Sequence, residues 1–341
     1  MKENIRDRAR QLGFDDCRFT TAAPPDHGDA YQHWLDEGRH GELGWLERNA
    51  HKRLDPTEIV PGAKSIICLT SSYSGDTNNG ESGPIARYAR YRDYHDVIAE
   101  PLKELTTYVN EQLGEEPRSK ASLWYTDTGP ILERDAAQRA GLGFVGKHTN
   151  LISRQNGNWI FLSEIITRLE IEPDPPGHNR CGKCTACIDT CPTRAIIAPF
   201  ELDARRCLSY LTIELKGSIP EEFRPAIGHR IYGCDDCLEV CPWNRFAKAG
   251  RTMREHERED LKSPDLIELL ALDETAFRER FRGTPMFRTK RRGVLRNVCV
   301  ALGNTAGRES LPALETARQD AEALIAEHAD WAIRQIETRS T

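Results

Sequence analysis

Cysteines in two runs carry the most legible chemistry of this chain. The first run is Cys181-x2-Cys184-x2-Cys187-x3-Cys191-Pro192. Three thiolates at that spacing on one tight loop reach three corners of a single iron–sulfur cube, and the fourth, ahead of a proline turn, points to a second cube. The second run, Cys234-x2-Cys237-x3-Cys241-Pro242, lacks one member, because Ile231 stands where a full copy would have cysteine. Cys207 lies upstream and is the natural replacement. The expected partition gives one [4Fe–4S] cluster to Cys181, Cys184, Cys187 and Cys241, and the other to Cys191, Cys207, Cys234 and Cys237. Thiolate quartets also suit structural zinc, but the triple spacing and the Cys-Pro endings favour clusters. Cys17, Cys68 and Cys299 stand apart in apolar or mixed stretches and read as buried free thiols.

Clusters pass electrons singly and rarely complete substrate chemistry alone, so the rest of the chain must hold an acceptor. With 341 residues there is room for two or three compact units. Up to about residue 170 the pattern reads α/β: a buried strand at Ala63–Leu69 after Pro61-Gly62, a helix from Val97 to Leu113, another from Pro130 to Ala140, and a strand from Trp159 to Ile166. Glu172-Pro173-Asp174-Pro175-Pro176-Gly177 is a stiff boundary segment. Helical periodicity returns from Leu261, and the similar texture of Val298–Gly303 and Ala329–Ile333 hints at HEAT-like repeats. The expected fold class is α+β multidomain. It comprises an α/β domain over 1–170, a ferredoxin-like domain with two clusters over 171–250, and a HEAT-like helical domain over 255–341.

The net charge of −6 confines any nucleic-acid contact to a local basic patch. The N-terminal segment places Ile5, Ala9 and Leu12 at helical spacing with no apolar core of a secretory signal. No run of about 18 apolar residues suggests a membrane span. A cytoplasmic monomer is expected, with its cysteines reduced or on metal.

Four segments resemble epoxyqueuosine reductases: Arg87-Tyr88-Ala89-Arg90-Tyr91-Arg92-Asp93-Tyr94-His95-Asp96, Asp127-Thr128-Gly129-Pro130, Ala140-Gly141-Leu142-Gly143-Phe144-Val145-Gly146-Lys147, and Cys207-Leu208-Ser209-Tyr210-Leu211-Thr212-Ile213-Glu214. Together with the double-cluster run they match that family in order across nearly the whole chain. The resemblance implies a cobalamin-binding first domain, electron feed from the two clusters to cobalt, and reduction of epoxyqueuosine to queuosine at the tRNA anticodon wobble position. It also implies an unidentified low-potential electron donor as partner. By resemblance Asp127 is the proton-donating acid. Arg53, Ala86, Lys147, His148, Leu151 and Leu162 are its companions at the cofactor, and Ser209 approaches from the cluster side.

Each of these residues also has a plainer reading. Asp127 would serve as an N-cap for a helix beginning near Pro130. His95 is a polar residue at a helix start. It belongs to no cobalt-ligating Asp-x-His-x-x-Gly motif, since Asp93-Tyr94-His95 continues as Asp96-Val97-Ile98, and no protein histidine below cobalt is expected. The glycine-rich stretch Gly141–Lys147 is neither a Walker loop nor a dinucleotide fingerprint, because it ends a helix.

Toward the C-terminus, arginines and lysines alternate with Phe277, Phe281 and Phe287. Arg288, Lys290, Arg291, Arg292 and Arg296 are the candidate tRNA contacts, with Arg288, Arg292 and Arg296 on one face if the segment is helical. A solvated charged face is the alternative. Two other functions use the same cofactors: a cobalamin-dependent reductase or dehalogenase of a small molecule, and a non-catalytic electron carrier. The basic C-terminus argues against the first. The carrier leaves Asp127 without a task.

Overall fold

The computed structural model describes residues 1–75 and 83–339. Four strands form the first sheet: β1 (Asp16–Thr21), β2 (Ser65–Ser72), β3 (Ser122–Tyr125) and β6 (Ile160–Thr167), in the order β1-β2-β6-β3. Every pairing is antiparallel. The region is therefore α+β in build, not the parallel layered kind that an α/β label implies. The β1 strand was not anticipated; its polar-apolar mixture carries little strand signal until it pairs with β2.

Side chains alternate across the sheet. On one face Ile67, Leu69, Phe161 and Ile165 pack under the helices Lys2–Gln11 and Tyr94–Gln112. On the other, Ile66, Cys68 and Ile166 pack under the short helix Glu133–Arg139. With helices on both faces β2 is buried along its whole length, and each such aliphatic side chain contributes about 1.5–3 kcal/mol. The helix expected from Pro130 starts only at Glu133, with Leu132 as its N-cap.

Two small hairpins complete the strands: β4 (Gly143–Val145) with β5 (Leu151–Ser153), and β7 (Ile196–Ala198) with β8 (Glu201–Leu202). A Cβ at Gly143 would lie 2.1 Å from the Ile152 carbonyl oxygen, so only glycine permits this pairing.

The C-terminal helices Lys290–Thr305 and Ala323–Arg339 pack against each other. At Gly303 a Cβ would come within 2.8 Å of the Ala332 Cα, which is why the two helices approach so closely there. Their core, including Val298, Leu302 and Trp331, is continuous with Leu208, Leu211 and Ile231 from the cysteine-rich stretch. Cys17, Cys68 and Cys299 are buried, and burial pushes their thiols up. Among the described residues no helix is long and apolar enough to cross a membrane.

Candidate active site

Each cysteine run folds around one short helix, Ala186–Asp189 in the first and Asp236–Glu239 in the second, and each turns out of it at a Cys-Pro pair. Cys191 N–H then donates to Ile188 O (3.3 Å) and Cys241 N–H to Leu238 O (3.2 Å). This pseudo-symmetry swings the last cysteine of each run across to the other group. The thiol of Cys187 is pushed up by burial and then by Cys181, Cys241 and Cys184. That of Cys237 is raised by burial and then chiefly by Cys207 and Cys234, with Cys191 also contributing. The chain thus gathers Cys181, Cys184, Cys187 and Cys241 in one place, and Cys191, Cys207, Cys234 and Cys237 in another. A single zinc ion needs its thiolates within about 4 Å of one another. Among the described residues no group of three or more His, Cys, Asp or Glu side chains is drawn together to hold a single metal ion.

The second four cysteines form one wall of a cavity of about 380 Å³. The facing wall comes from the sheet domain, where Tyr94 stacks on Phe161 (ring centroids 4.1 Å apart) and Tyr73 leans on the same ring (4.6 Å). Cys207 leads into a π-helical turn, Tyr210–Glu214, an irregularity common at functional sites. Ser209 Oγ accepts from Cys234 N–H at 3.1 Å and lines the cavity.

Asp127 stands at the cavity edge in a left-handed backbone conformation (φ +54), costly for a residue with a Cβ unless its surroundings hold it. They do. Thr126 Oγ1 donates to Leu162 O (3.0 Å), Asp127 N–H donates to Glu133 Oε1 (2.8 Å), and Arg53 donates to Gly129 O (3.4 Å). The Tyr94 hydroxyl donates to Asp127 Oδ2 at 2.5 Å. The carboxylate therefore caps no helix; it is held by a tyrosine at the rim of an aromatic cavity.

Glu133 lines the cavity beside Asp127 and Glu164 is buried behind them, and sequence reading missed both. Burial, and then the Asp127 charge, push the Glu133 carboxyl up to about 8. Burial, with Glu133 and Asp127 beside it, holds the Glu164 carboxyl well above the usual range. The available signal was Glu164 itself, an acid inside the apolar run Trp159–Ile166. Tyr94 was also missed as an individual, although it lay in a recognised segment.

The remaining candidates fall into three groups. Leu151, Leu162 and His148 line the cavity; His148 Nδ1 accepts from Asn150 N–H (3.2 Å), and burial lowers the ring's pKa to about 4, so it is neutral. Ala86 is buried, its N–H donating to Tyr232 O (2.8 Å). Arg53 is buried over Trp45 (5.2 Å), behind the Asp127 loop. Lys147 turns away from the cavity, donating to Gly182 O (2.9 Å) and Cys184 O (2.8 Å), which fastens the first cysteine loop.

The basic segment divides sharply. Lys290 and Arg292 are exposed. Arg288 is exposed in a turn (Pro285–Thr289) ahead of the helix, 3.6 Å from Asp93 Oδ2 and close enough to Tyr94 to affect its hydroxyl. Arg291 is paired with Asp320 (2.5 Å). Arg296 corrects the expectation of a shared phosphate-facing surface. It is fully buried and donates to Leu211 O (2.8 Å), Leu215 O (2.8 Å) and Gly217 O (2.6 Å), so it is a structural arginine that no phosphate can reach.

Comparison with known proteins adds an independent line. Residues 180–244 match the 4Fe-4S double cluster binding domain, and residues 53–128 match the family described as epoxyqueuosine reductase QueG, DUF1730. An epoxyqueuosine reductase of Xanthomonas campestris is 42% identical over 340 residues, spanning 97% of this chain and 95% of the relative. That of Escherichia coli is 38% identical over 348 residues, spanning 100% and 91%. Among solved structures, an epoxyqueuosine reductase with an epoxyqueuosine-modified tRNA-Tyr stem loop superposes with a TM-score of 0.87 at 32% identity, covering 98% of this chain and 90% of that one. The Streptococcus thermophilus enzyme also gives 0.87, at 30% identity, covering 99% and 90%. This chain belongs to the epoxyqueuosine reductase family.

Proposed function

We propose that this chain reduces epoxyqueuosine to queuosine at the wobble position of a tRNA anticodon, using two [4Fe–4S] clusters and cobalamin. The observation that carries this reading is the Asp127 carboxylate, clamped by Tyr94 at the edge of a cavity whose opposite wall is the second cysteine quartet.

The residues present fit a corrinoid. The cavity has apolar and aromatic walls in Leu151, Leu162, Phe161 and Tyr94, and hydrogen-bonding groups at Ser209 and Asn150. Ser209 lies two residues beyond Cys207 of the second cluster set and accepts from the N–H of Cys234 of the same set at 3.1 Å. Cobalamin, when bound, supplies the low-potential electrons that open the epoxide. The first cysteine group, with Cys184 exposed, is the entry side for electrons from a low-potential donor.

The overall change takes up two electrons and two protons, converts the epoxide to an alkene and releases water. Asp127 delivers a proton to the departing oxygen, with Oδ2 fixed by Tyr94 and Oδ1 left for the substrate. Arg53 and Glu133 hold the loop that presents it. Arg288, next to Asp93 and Tyr94, and the exposed Lys290 and Arg292 supply phosphate contacts. Residues 1–170, 171–250 and 255–341 form the cofactor, cluster and HEAT-like tRNA-binding parts of a cytoplasmic monomer.

The test is a product assay. The protein is reconstituted anaerobically with iron, sulfide and cobalamin, reduced, and given tRNA carrying epoxyqueuosine; digested nucleosides are weighed by mass spectrometry. Loss of one oxygen that depends on added cobalamin is the expected outcome. No conversion by protein with clusters and cobalamin bound would shift the reading to a small-molecule reductase.

A further inference from the structure

Two carboxyls next to Asp127, those of Glu133 and Glu164, give up no proton in the delivery described above. Glu164 lies in the middle of the first sheet, paired in register with Cys68 on β2 and Tyr125 on β3. It is 0% exposed, and neither of its oxygens meets a hydrogen-bond donor among the described residues. A buried carboxylate without donors or a cation is far too costly to persist ionised, and it neutralises by keeping its proton.

The surroundings offer no rescue. Glu133, from the helix packed on this face, and Asp127, from the preceding loop, both act on Glu164 with like charge. Arg134 and Arg53 act on Glu133 and are no cause of any shift at Glu164. Arg139 and Asp135, nearer Cys68, are paired with each other at 2.8 Å. Tyr94 is engaged with Asp127. Asp127 and Glu133 both line the cavity, with Glu133 Oε1 accepting from the Asp127 N–H (2.8 Å), and Glu164 is the fully buried member behind them.

We propose that Glu133 and Glu164 form a proton store that recharges Asp127 during the reaction. The inference rests on the epoxide reading, because that reaction needs two protons at one oxygen and a single carboxyl at Asp127 can pass on only one at a time. The first proton passes from Asp127 to the oxygen as the C–O bond opens. Glu133 returns a proton to Asp127, and Asp127 delivers it to the same oxygen, which leaves as water. Glu164 refills Glu133, and two protons from solvent restore the three carboxyls. The electrons arrive from the one-electron donor through the clusters, so charge balances over the cycle. Three neighbouring carboxyls cannot all ionise, and a Glu133 carboxyl pushed up to about 8 still holds its proton at neutral pH.

A merely structural pair makes the opposite forecast. Glutamine at position 133 keeps the oxygen that accepts the Asp127 N–H, and glutamine at position 164 keeps shape and neutrality; each removes only the proton. The experiment therefore uses Glu133→Gln and Glu164→Gln in cobalamin- and cluster-loaded protein. Infrared spectra at neutral pH should show C=O stretches of protonated carboxyls that shift in heavy water, and Glu133→Gln and Glu164→Gln should each remove part of that intensity. Product formation should fall about 10- to 100-fold in both variants. The alkaline limb of the rate profile should move in Glu133→Gln, because burial and the neighbouring Asp127 raise the Glu133 carboxyl. Absence of these infrared bands in the wild type overturns the store. So do variants that match a converting wild type in rate and pH profile, and that result leaves the epoxide reading intact. A wild type that converts nothing overturns the epoxide reading and takes the proton store with it.

Discussion

The cavity side and the C-terminal helices both bury polar groups, and they treat them in opposite ways. In the helical part Arg296 gives its guanidinium to three backbone carbonyls and to Asn297 Oδ1 (3.0 Å). Asn297 donates to Thr212 O (2.7 Å) and Ile231 O (2.8 Å). At the cavity, Glu164 has two bare oxygens, Arg53 Nη1 has no partner among the described residues, and Asp127 keeps a strained backbone. A satisfied buried network rigidifies. An unsatisfied one costs stability and is kept where a group must stay reactive. At Arg296 and Glu164 the contrast separates a structural charge from a chemical one.

The sharpest way to break that contrast is to neutralise the strained acid. Asp127→Asn retains a residue type that tolerates φ > 0 and still accepts from Tyr94. It should leave iron content and cobalamin binding unchanged while lowering product formation by about 10²–10⁴-fold, the usual worth of a general acid. Near-wild-type turnover in the anaerobic assay would remove Asp127 from the chemistry. The next largest effect falls on the other side. Arg296→Met leaves three buried carbonyls without a donor and should cost about 3–5 kcal/mol of stability, read as a lowered thermal midpoint. Arg296→Met protein that melts like the wild type but binds tRNA weakly would return Arg296 to the phosphate-contacting set.

How much of this was legible follows the range of each interaction. The cysteine grouping could be read because ligand spacing along the chain decides which thiolates share a loop, and the symmetric Cys-Pro turns do the rest. The long helix Tyr94–Gln112 and the strands β2 and β6 announce themselves by periodicity. Glu164 could not be placed, because its neighbours Cys68 and Tyr125 are set by strand register across nearly a hundred residues on one side. Tyr94 reaches Asp127 from a separate element for the same reason. Arg296 misled because a one-helix face was drawn through Arg288, which the fold puts in a turn. Nothing local distinguishes an arginine that faces solvent from one that collects carbonyls of Leu211 to Gly217.

The smallest expected effect refines the comparison, because one histidine on each side has the same altered proton affinity. Burial lowers both His328 and His148 to about 4. His328 Nε2 accepts from Ile219 N–H (3.2 Å) and its Nδ1 donates to Leu324 O (2.7 Å), so its neutral form is fully bonded. His148 lines the cavity beside Asn150 and Asn158. A folded-state pKa below the unfolded value of about 6.5 means that the unfolded chain binds protons first on acidification. Stability is therefore intact above about pH 6.5 and declines towards pH 4, by about 1 kcal/mol per histidine at pH 5.5. Replacing His328 by glutamine should flatten the decline in thermal midpoint between pH 7 and 5.5 equally with and without cobalamin. The share removed by His148→Gln should change when the cavity is filled, because the ligand replaces the solvent beside that ring. Identical responses of the two variants to cobalamin would mean that His148 belongs with the satisfied, structural side.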